Sequence, residues 1–259
     1  MRRPGGRLAA TAAVGGAAAL CAAAFLYAAP APGKESATSA GTPEPAGTAA
    51  AFTVLATGDS MMQIVDIDLA RQLEQGGRVT VRRETHISTG ISKPALLNWP
   101  RHAAAQARQL HPRATVVFLG ANDGFNMRRS GRLVKCCGRA WSREYGRRAR
   151  RMMVSYAQRG AGKVYWLLLP QARDGFFRRA YPAVNRGLRR AARGLAAVRL
   201  IPLNKVFTPR GRYRASIRYR GRLVRARQKD GIHLSPAGAS IAASIVVSRM
   251  RADRIFAGG

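Results

Sequence analysis

The chain has 259 residues, 47% of them hydrophobic, which is enough for the buried core of one α/β domain. Its 45 basic residues against 12 acidic ones give a formal net charge of +33, a field that draws anionic partners but carries no information about fold. With three cysteines, two of them adjacent, a disulfide framework is excluded.

Arg2, Arg3 and Arg7 precede an uncharged, Ala-rich run over residues 8–29, the layout of a secretory signal or a signal anchor. The run is about as long as a bilayer requires, and Pro30 and Pro32 spoil the nearest small-residue cleavage sites, which favours an uncleaved anchor. Leu20 ahead of Cys21 is wrong for a lipoprotein signal, where a small residue is expected. With the basic end inside, the rest of the chain is expected to be exported and to face the periplasm or exterior. Residues 31–50 are mostly Pro, Ala, Gly, Thr and Ser, a composition that makes a tether and not a core. The expected organisation is therefore leader 1–30, linker 31–50 and one domain over 51–259.

Within that domain, short apolar runs alternate with amphipathic helical patterns. Residues 52–56 read as a strand, and Met62, Val65, Leu69 and Leu73 then recur at helical spacing until Gly76-Gly77. A second strand is expected over 79–81, a helix over 95–110, and a third, buried strand over 115–119. Cys136 and Cys137 can close a vicinal disulfide or bind a soft metal, but no further ligand stands near them, and two ordinary thiols in a loop are expected.

Trp141, Tyr145, Ala149, Met152 and Tyr156 form the apolar face of a helix whose other face is arginine. A fourth strand spans 163–169, a helix is marked by Val184, Leu188, Ala191 and Leu195, and a fifth strand covers 198–202. Residues 212–227 read as a basic hairpin around Arg220-Gly221. The last helix starts with Ser235 as N-cap and Pro236 at its first position. Such alternation predicts a five-stranded parallel sheet covered on both faces.

Three stretches carry chemistry. Ser60, in Gly58-Asp59-Ser60, falls between the first strand and first helix, where an open parallel sheet binds its ligands and where helix-start amides favour negative charge. Asp230 and His233 share a loop ahead of the last helix, so Asp230 can hold one imidazole nitrogen while the other takes a proton from Ser60. Gly90 and Asn122 lie in loops just past strands, on the same side of the sheet. With the Ser60 amide they offer three convergent donors to an oxyanion. Alternative readings are a plain helix cap for Asp59-Ser60 and a plain turn for Asn122-Asp123.

These blocks, Gly58-Asp59-Ser60, Gly90, Gly120-Ala121-Asn122-Asp123 and Asp230-Gly231-Ile232-His233, resemble in order and spacing the four blocks of SGNH (GDSL-type) hydrolases. The stretches from Ser88 to Pro94, Asn98-Trp99-Pro100, Trp141 to Tyr145, and Arg225 to His233 resemble the bacterial DUF459 branch. The likeness runs from about residue 52 to the C-terminus; one departure is Thr89, where the branch commonly has Ser.

The resemblance implies a flavodoxin-like three-layer α/β/α sandwich and ester hydrolysis with no metal and no cofactor. It carries Ser60 over as nucleophile, Asp230 and His233 as acid and base, and Ser60, Gly90 and Asn122 as the oxyanion hole. Asp59 and Asp123 carry over as supports for loop geometry.

The expected activity is a serine esterase acting on a small acyl ester, such as an O-acetyl group on a cell-envelope glycan. Acyl transfer from the same acyl-enzyme is the alternative, and a basic module binding an anionic polymer or membrane surface is another. Nucleic acid is not expected: arginine pairs such as Arg128-Arg129 and the hairpin's Tyr213 and Tyr219 sit in no nucleic-acid fold motif. A cation gathered by Asp59, Asp123, Asp230 and His233 is the remaining alternative, although no ligand pair shares a helix there.

Overall fold

The computed structural model describes residues 51–256. The leader 1–30 and the linker 31–50 lie outside the described residues.

Five strands make the central sheet: β1 (Phe52–Gly58), β2 (Val79–Thr85), β3 (Ala114–Phe118), β6 (Lys163–Leu167) and β7 (Val198–Ile201). They lie in the order β2-β1-β3-β6-β7 and every pairing is parallel. All five residues of β3 are buried, as a strand covered on both faces requires.

The helices between them are α1 (Ser60–Glu74), α2 (Trp99–Leu110), α3 (Arg139–Ala157) and α4 (Gly175–Ala192); a short α5 (Leu203–Phe207) and α6 (Pro236–Ala252) follow β7. The chain leaves β1 in one direction to β2, then returns past it to β3. With right-handed crossovers this reversal puts α1 on one face and α2, α3 and α4 on the other. Helix α6 packs on α1, and α3 packs on both α2 and α4, completing three α/β/α layers. The reversal also opens a crevice at the carboxyl ends of β1 and β3. No helix among the described residues is long and apolar enough to cross a membrane.

The expected elements are found with shifted ends. Helix α2 begins at Trp99 and not at 95, because Asn98 caps it, accepting from the Arg101 amide at 3.3 Å, with Pro100 in its first turn. Helix α4 begins at Gly175, well before the expected apolar stripe, and runs through Pro182. A proline there removes the donor for the carbonyl four residues back, Arg178, and the Gln171 side chain supplies one instead at 3.1 Å.

The basic hairpin is present as β8 (Ser216–Tyr219) and β9 (Arg222–Arg225), antiparallel. A second hairpin, β4 (Met127–Arg129) with β5 (Arg132–Val134), was not expected; its strands are three residues long and rich in arginine, so they carry no apolar alternation. Ser235 caps α6 as expected, its hydroxyl accepting from the Gly238 amide at 3.0 Å. The expectation of two free thiols is corrected: Cys136 and Cys137 are joined as a vicinal disulfide, in the loop between β5 and α3.

Candidate active site

Ser60 is the first residue of α1, set at the carboxyl end of β1 by a tight turn. Asp59 makes that turn. It is fully buried, and one carboxylate oxygen caps α1 by accepting from the Met61 amide at 3.0 Å. Its other oxygen accepts from the amides of Gly120 and Ala121, both at 2.8 Å. One side chain thus fixes the β1–α1 turn to the β3 exit, and leaves the Asp59 carboxylate no free face for chemistry.

The far end of the chain supplies the partners of Ser60. Its Oγ lies 2.8 Å from His233 Nε2, and His233 Nδ1 lies 2.5 Å from Asp230 Oδ2. The second Asp230 oxygen accepts from the Ile232 and His233 amides at 2.8 and 3.0 Å, which sets the carboxylate beside the ring. Burial opposes ionisation of Asp230, but the His233 hydrogen bond and the two amides outweigh it, and the carboxyl titrates below its ordinary value.

Arg227 holds this loop from beneath. It is fully buried, donates to the carbonyls of Gln171 at 3.1 Å, Gly231 at 3.2 Å and Ile232 at 2.6 Å, and its guanidinium lies over the Tyr213 ring. The sequence offered one signal for it, its place in the Arg225 to His233 stretch, but nothing there announced a buried cation.

The oxyanion candidates are Asn122, the Ser60 amide and Gly90. Asn122 Nδ2 is buried and makes no hydrogen bond among the described residues, a donor with its capacity unspent. Ser60 N heads α1, where the first amides have no partner within the helix. Gly90 packs on Asp123 so closely that a Cβ at position 90 would meet Asp123 Oδ1 at 2.6 Å.

Asp123 is buried and ties this region together. Its Oδ1 accepts from the Ser92 amide and hydroxyl at 2.6 and 2.7 Å, its Oδ2 from the Ile91 amide at 3.2 Å and the Tyr145 hydroxyl at 2.8 Å. Ser92 had no individual role in the sequence reading, and Tyr145 entered it only on the apolar face of a helix. Each lies within a stretch that resembles the DUF459 branch.

Burial pushes the Asp59 carboxyl up to about 6, against its three amides and with help from the Asp123 charge. Burial likewise raises Asp123 against its Ser92, Tyr145 and Ile91 partners. All four oxygens of this pair are spent on protein donors, so the sequence-stretch alternative of a cation held by Asp59, Asp123, Asp230 and His233 has no free ligands from two of its four members. Just past Asn122, a cavity of about 510 Å³ is lined by Gly124, Phe125, Asn126, the Cys136–Cys137 disulfide, Phe176 and Arg179.

Residues 53–249 match the family described as "Protein of unknown function (DUF459)". No curated protein matches the sequence. Among solved structures, the chain is similar to a candidate SGNH hydrolase from Slackia heliotrinireducens, at TM-score 0.52 and 17% identity, covering 77% of this chain and 99% of that one. It is also similar to the C-terminal catalytic domain of peptidoglycan O-acetyltransferase A from Streptococcus pneumoniae, with TM-score 0.50, 14% identity and coverage of 79% and 95%. A third, an α/β hydrolase from the metagenome of Lake Arreo, Spain, has TM-score 0.51, 15% identity and coverage of 77% and 95%. At these identities the likeness is one of fold.

Proposed function

The chain belongs to the DUF459 family and has the three-layer fold of SGNH proteins, and from that premise we propose that it is a serine hydrolase cleaving small acyl esters. The observation that carries this reading is the hydrogen-bonded series Ser60–His233–Asp230, and the buried, uncommitted Asn122 amide supports it. Ser60 Oγ attacks the ester carbonyl while His233 Nε2 takes its proton, and Asp230 holds the ring and favours the imidazolium. The amides of Ser60 and Gly90 and the Asn122 side chain receive the oxyanion. His233 then returns the proton to the leaving alcohol, and water resolves the acyl-enzyme by the same steps in reverse order.

The substrate we favour is an O-acylated glycan of the cell envelope, met outside the cytoplasm by a domain tethered through the leader and linker. Its support is the basic, apolar leader of the sequence and the likeness to a peptidoglycan O-acetyltransferase domain. The Phe125 and Phe176 rings beside the disulfide offer apolar surface for the carrier. That same neighbour favours a second reading, in which a sugar hydroxyl and not water accepts the acyl group.

A cavity of about 440 Å³ lined by six arginines, among them Arg139, Arg186 and Arg193, suits an anionic polymer or membrane surface, with affinity that falls as salt is added.

The test is turnover of p-nitrophenyl acetate by the full-length protein against Ser60→Ala. A loss of at least about 10³-fold in kcat is expected, and equal rates would sink the proposal. Products formed with an acylated glycan decide between the readings, since free acid alone rules out transfer.

A further inference from the structure

We propose that Glu84, His86 and His102 form a binding site for one divalent transition-metal ion of the zinc class, outside the Ser60–His233–Asp230 series. One ligand atom from each residue lies within 4.8 Å of the other two. His102 Nε2 is 3.1 Å and His86 Nε2 3.5 Å from Glu84 Oε1. Metal bonds of 2.0–2.1 Å in a tetrahedral site set neighbouring ligand atoms about 3.3 Å apart. Two edges of the triangle already have that length.

The fold accounts for the meeting. Glu84 is in the last turn of the β2 ladder, and His86 follows it with its amide still donating to Gly58 O at 2.9 Å, so the two side chains leave the same face. His102, in the first turn of α2, approaches that face. Trp99 sets both rings: it meets His86 and His102 edge-on at centroid distances of 5.7 and 5.6 Å. The indole is itself fixed, buried and donating to Thr89 Oγ1 at 3.1 Å, while that hydroxyl donates to the His86 carbonyl at 2.6 Å.

An ordinary ion pair is the competing account. It requires an imidazole N–H aligned on the carboxylate, yet both Nε2 atoms are buried and neither makes a hydrogen bond. Two imidazoles and one carboxylate suit zinc or cobalt better than magnesium or calcium. The side chains of His86, Glu84 and His102 remain 32%, 36% and 20% exposed, which leaves an entry path and room for a water as fourth ligand. A bound ion would pin the end of β2 to α2 and so brace the loop that carries Gly90.

The background is low, because the chain has four histidines and the other two, His111 and His233, lie elsewhere. Full-length protein stripped with chelator is titrated with Co²⁺ and followed by its visible ligand-field absorption, and thermal unfolding is recorded with and without Zn²⁺. One saturable equivalent is expected, together with a Zn²⁺-dependent rise in Tm. Glu84→Gln and His102→Gln, with parental far-UV circular dichroism, should each weaken binding at least about tenfold and abolish the Tm rise. His233→Ala and Cys136→Ser/Cys137→Ser should bind as the parent does. Absence of saturable binding, equal binding by both cluster variants, or loss confined to the His233 or cysteine variants would overturn the site. Binding is scored without reference to ester hydrolysis, so either proposal can fail alone.

Discussion

Arg227 is a full charge placed in the interior with no carboxylate bonded to it among the described residues. Burial lowers its pKa, with Tyr213, Tyr181 and Asp230 acting the other way; backbone carbonyls of the 171 and 231–232 segments accept from its two terminal nitrogens, and its Nε has no partner among the described residues. Such a group is costly to bury and costly to remove, because its carbonyl partners would be left without donors. Its output is position: it fixes the backbone between Gln228 and His233. Arg227→Met should therefore lower kcat at least about tenfold with a smaller change in KM, because the His233 ring loses its aim toward Ser60. Steady-state kinetics check this, and a variant with unchanged kcat would leave Arg227 a packing residue only.

Helices α3 and α4 cross at a pair of glycines. A Cβ on Gly146 would lie 2.7 Å from the Gly187 carbonyl oxygen, and one on Gly187 would lie 3.0 Å from the Ser142 carbonyl oxygen. Backbone cannot yield as a flexible side chain does, so any larger residue must push the helices apart. Tyr145, next to Gly146, would then draw away from Asp123. Gly146→Val should cost about 2 kcal/mol or more in urea unfolding and reduce turnover as well; a neutral effect would mean that the crossing has slack.

At this scale the sequence was most informative where burial is two-sided. Strands β1, β3 and β6 announced themselves as apolar runs, and α6 by Ser235-Pro236. The ends of α2 and α4 were hidden because Ala95 to Leu97 read as helix although Asn98 and Pro100 start it later, and because Pro182 masks a helix whose lost bond is mended by Gln171. Of the candidate site, the four blocks could be read. Arg227 could not, since its carbonyl partners lie as far away as residue 171, nor could the Glu84–His86–His102 cluster, which exists only because β2 ends beside the start of α2.

For the whole molecule, arginine is plentiful and acid scarce, so guanidinium groups turn to carbonyls. Arg150 donates to the carbonyls of Ala191 and Arg193 at the end of α4, where cations also suit the helix dipole. Arg148 bonds Glu144 but also the Ile91 carbonyl, and so supports the Gly90 loop. The few acids are burdened instead. Burial pushes Asp59 to about 6 and Asp66 to about 6, the latter against the Arg83 charge.

A carboxyl raised in the folded state binds protons more tightly than in the unfolded chain, so its contribution is fully present below the ordinary value of 3.8 and lost as pH rises through about 6. Lowering pH from 7 to 5 should therefore stabilise the fold through Asp59 and Asp66, by on the order of 1 kcal/mol from Asp59 alone, offset in part by His102, whose pKa burial lowers and whose contribution is lost as pH falls below the ordinary 6.5. Glu144, Asp230 and Asp253 are shifted down, and their contribution is lost only at lower pH, beneath ordinary carboxylate values. Denaturant unfolding across this range checks the sign; a fall in stability from pH 7 to 5 would contradict it.

Ser60 and His233 are 173 residues apart in sequence. A chain emerging from the ribosome presents Ser60 early, at the head of α1, but the series proposed to activate it cannot close until residues 230–233 have been made and folded against it. Under that proposal, a product cut short ahead of residue 230 would keep the serine and lack its base.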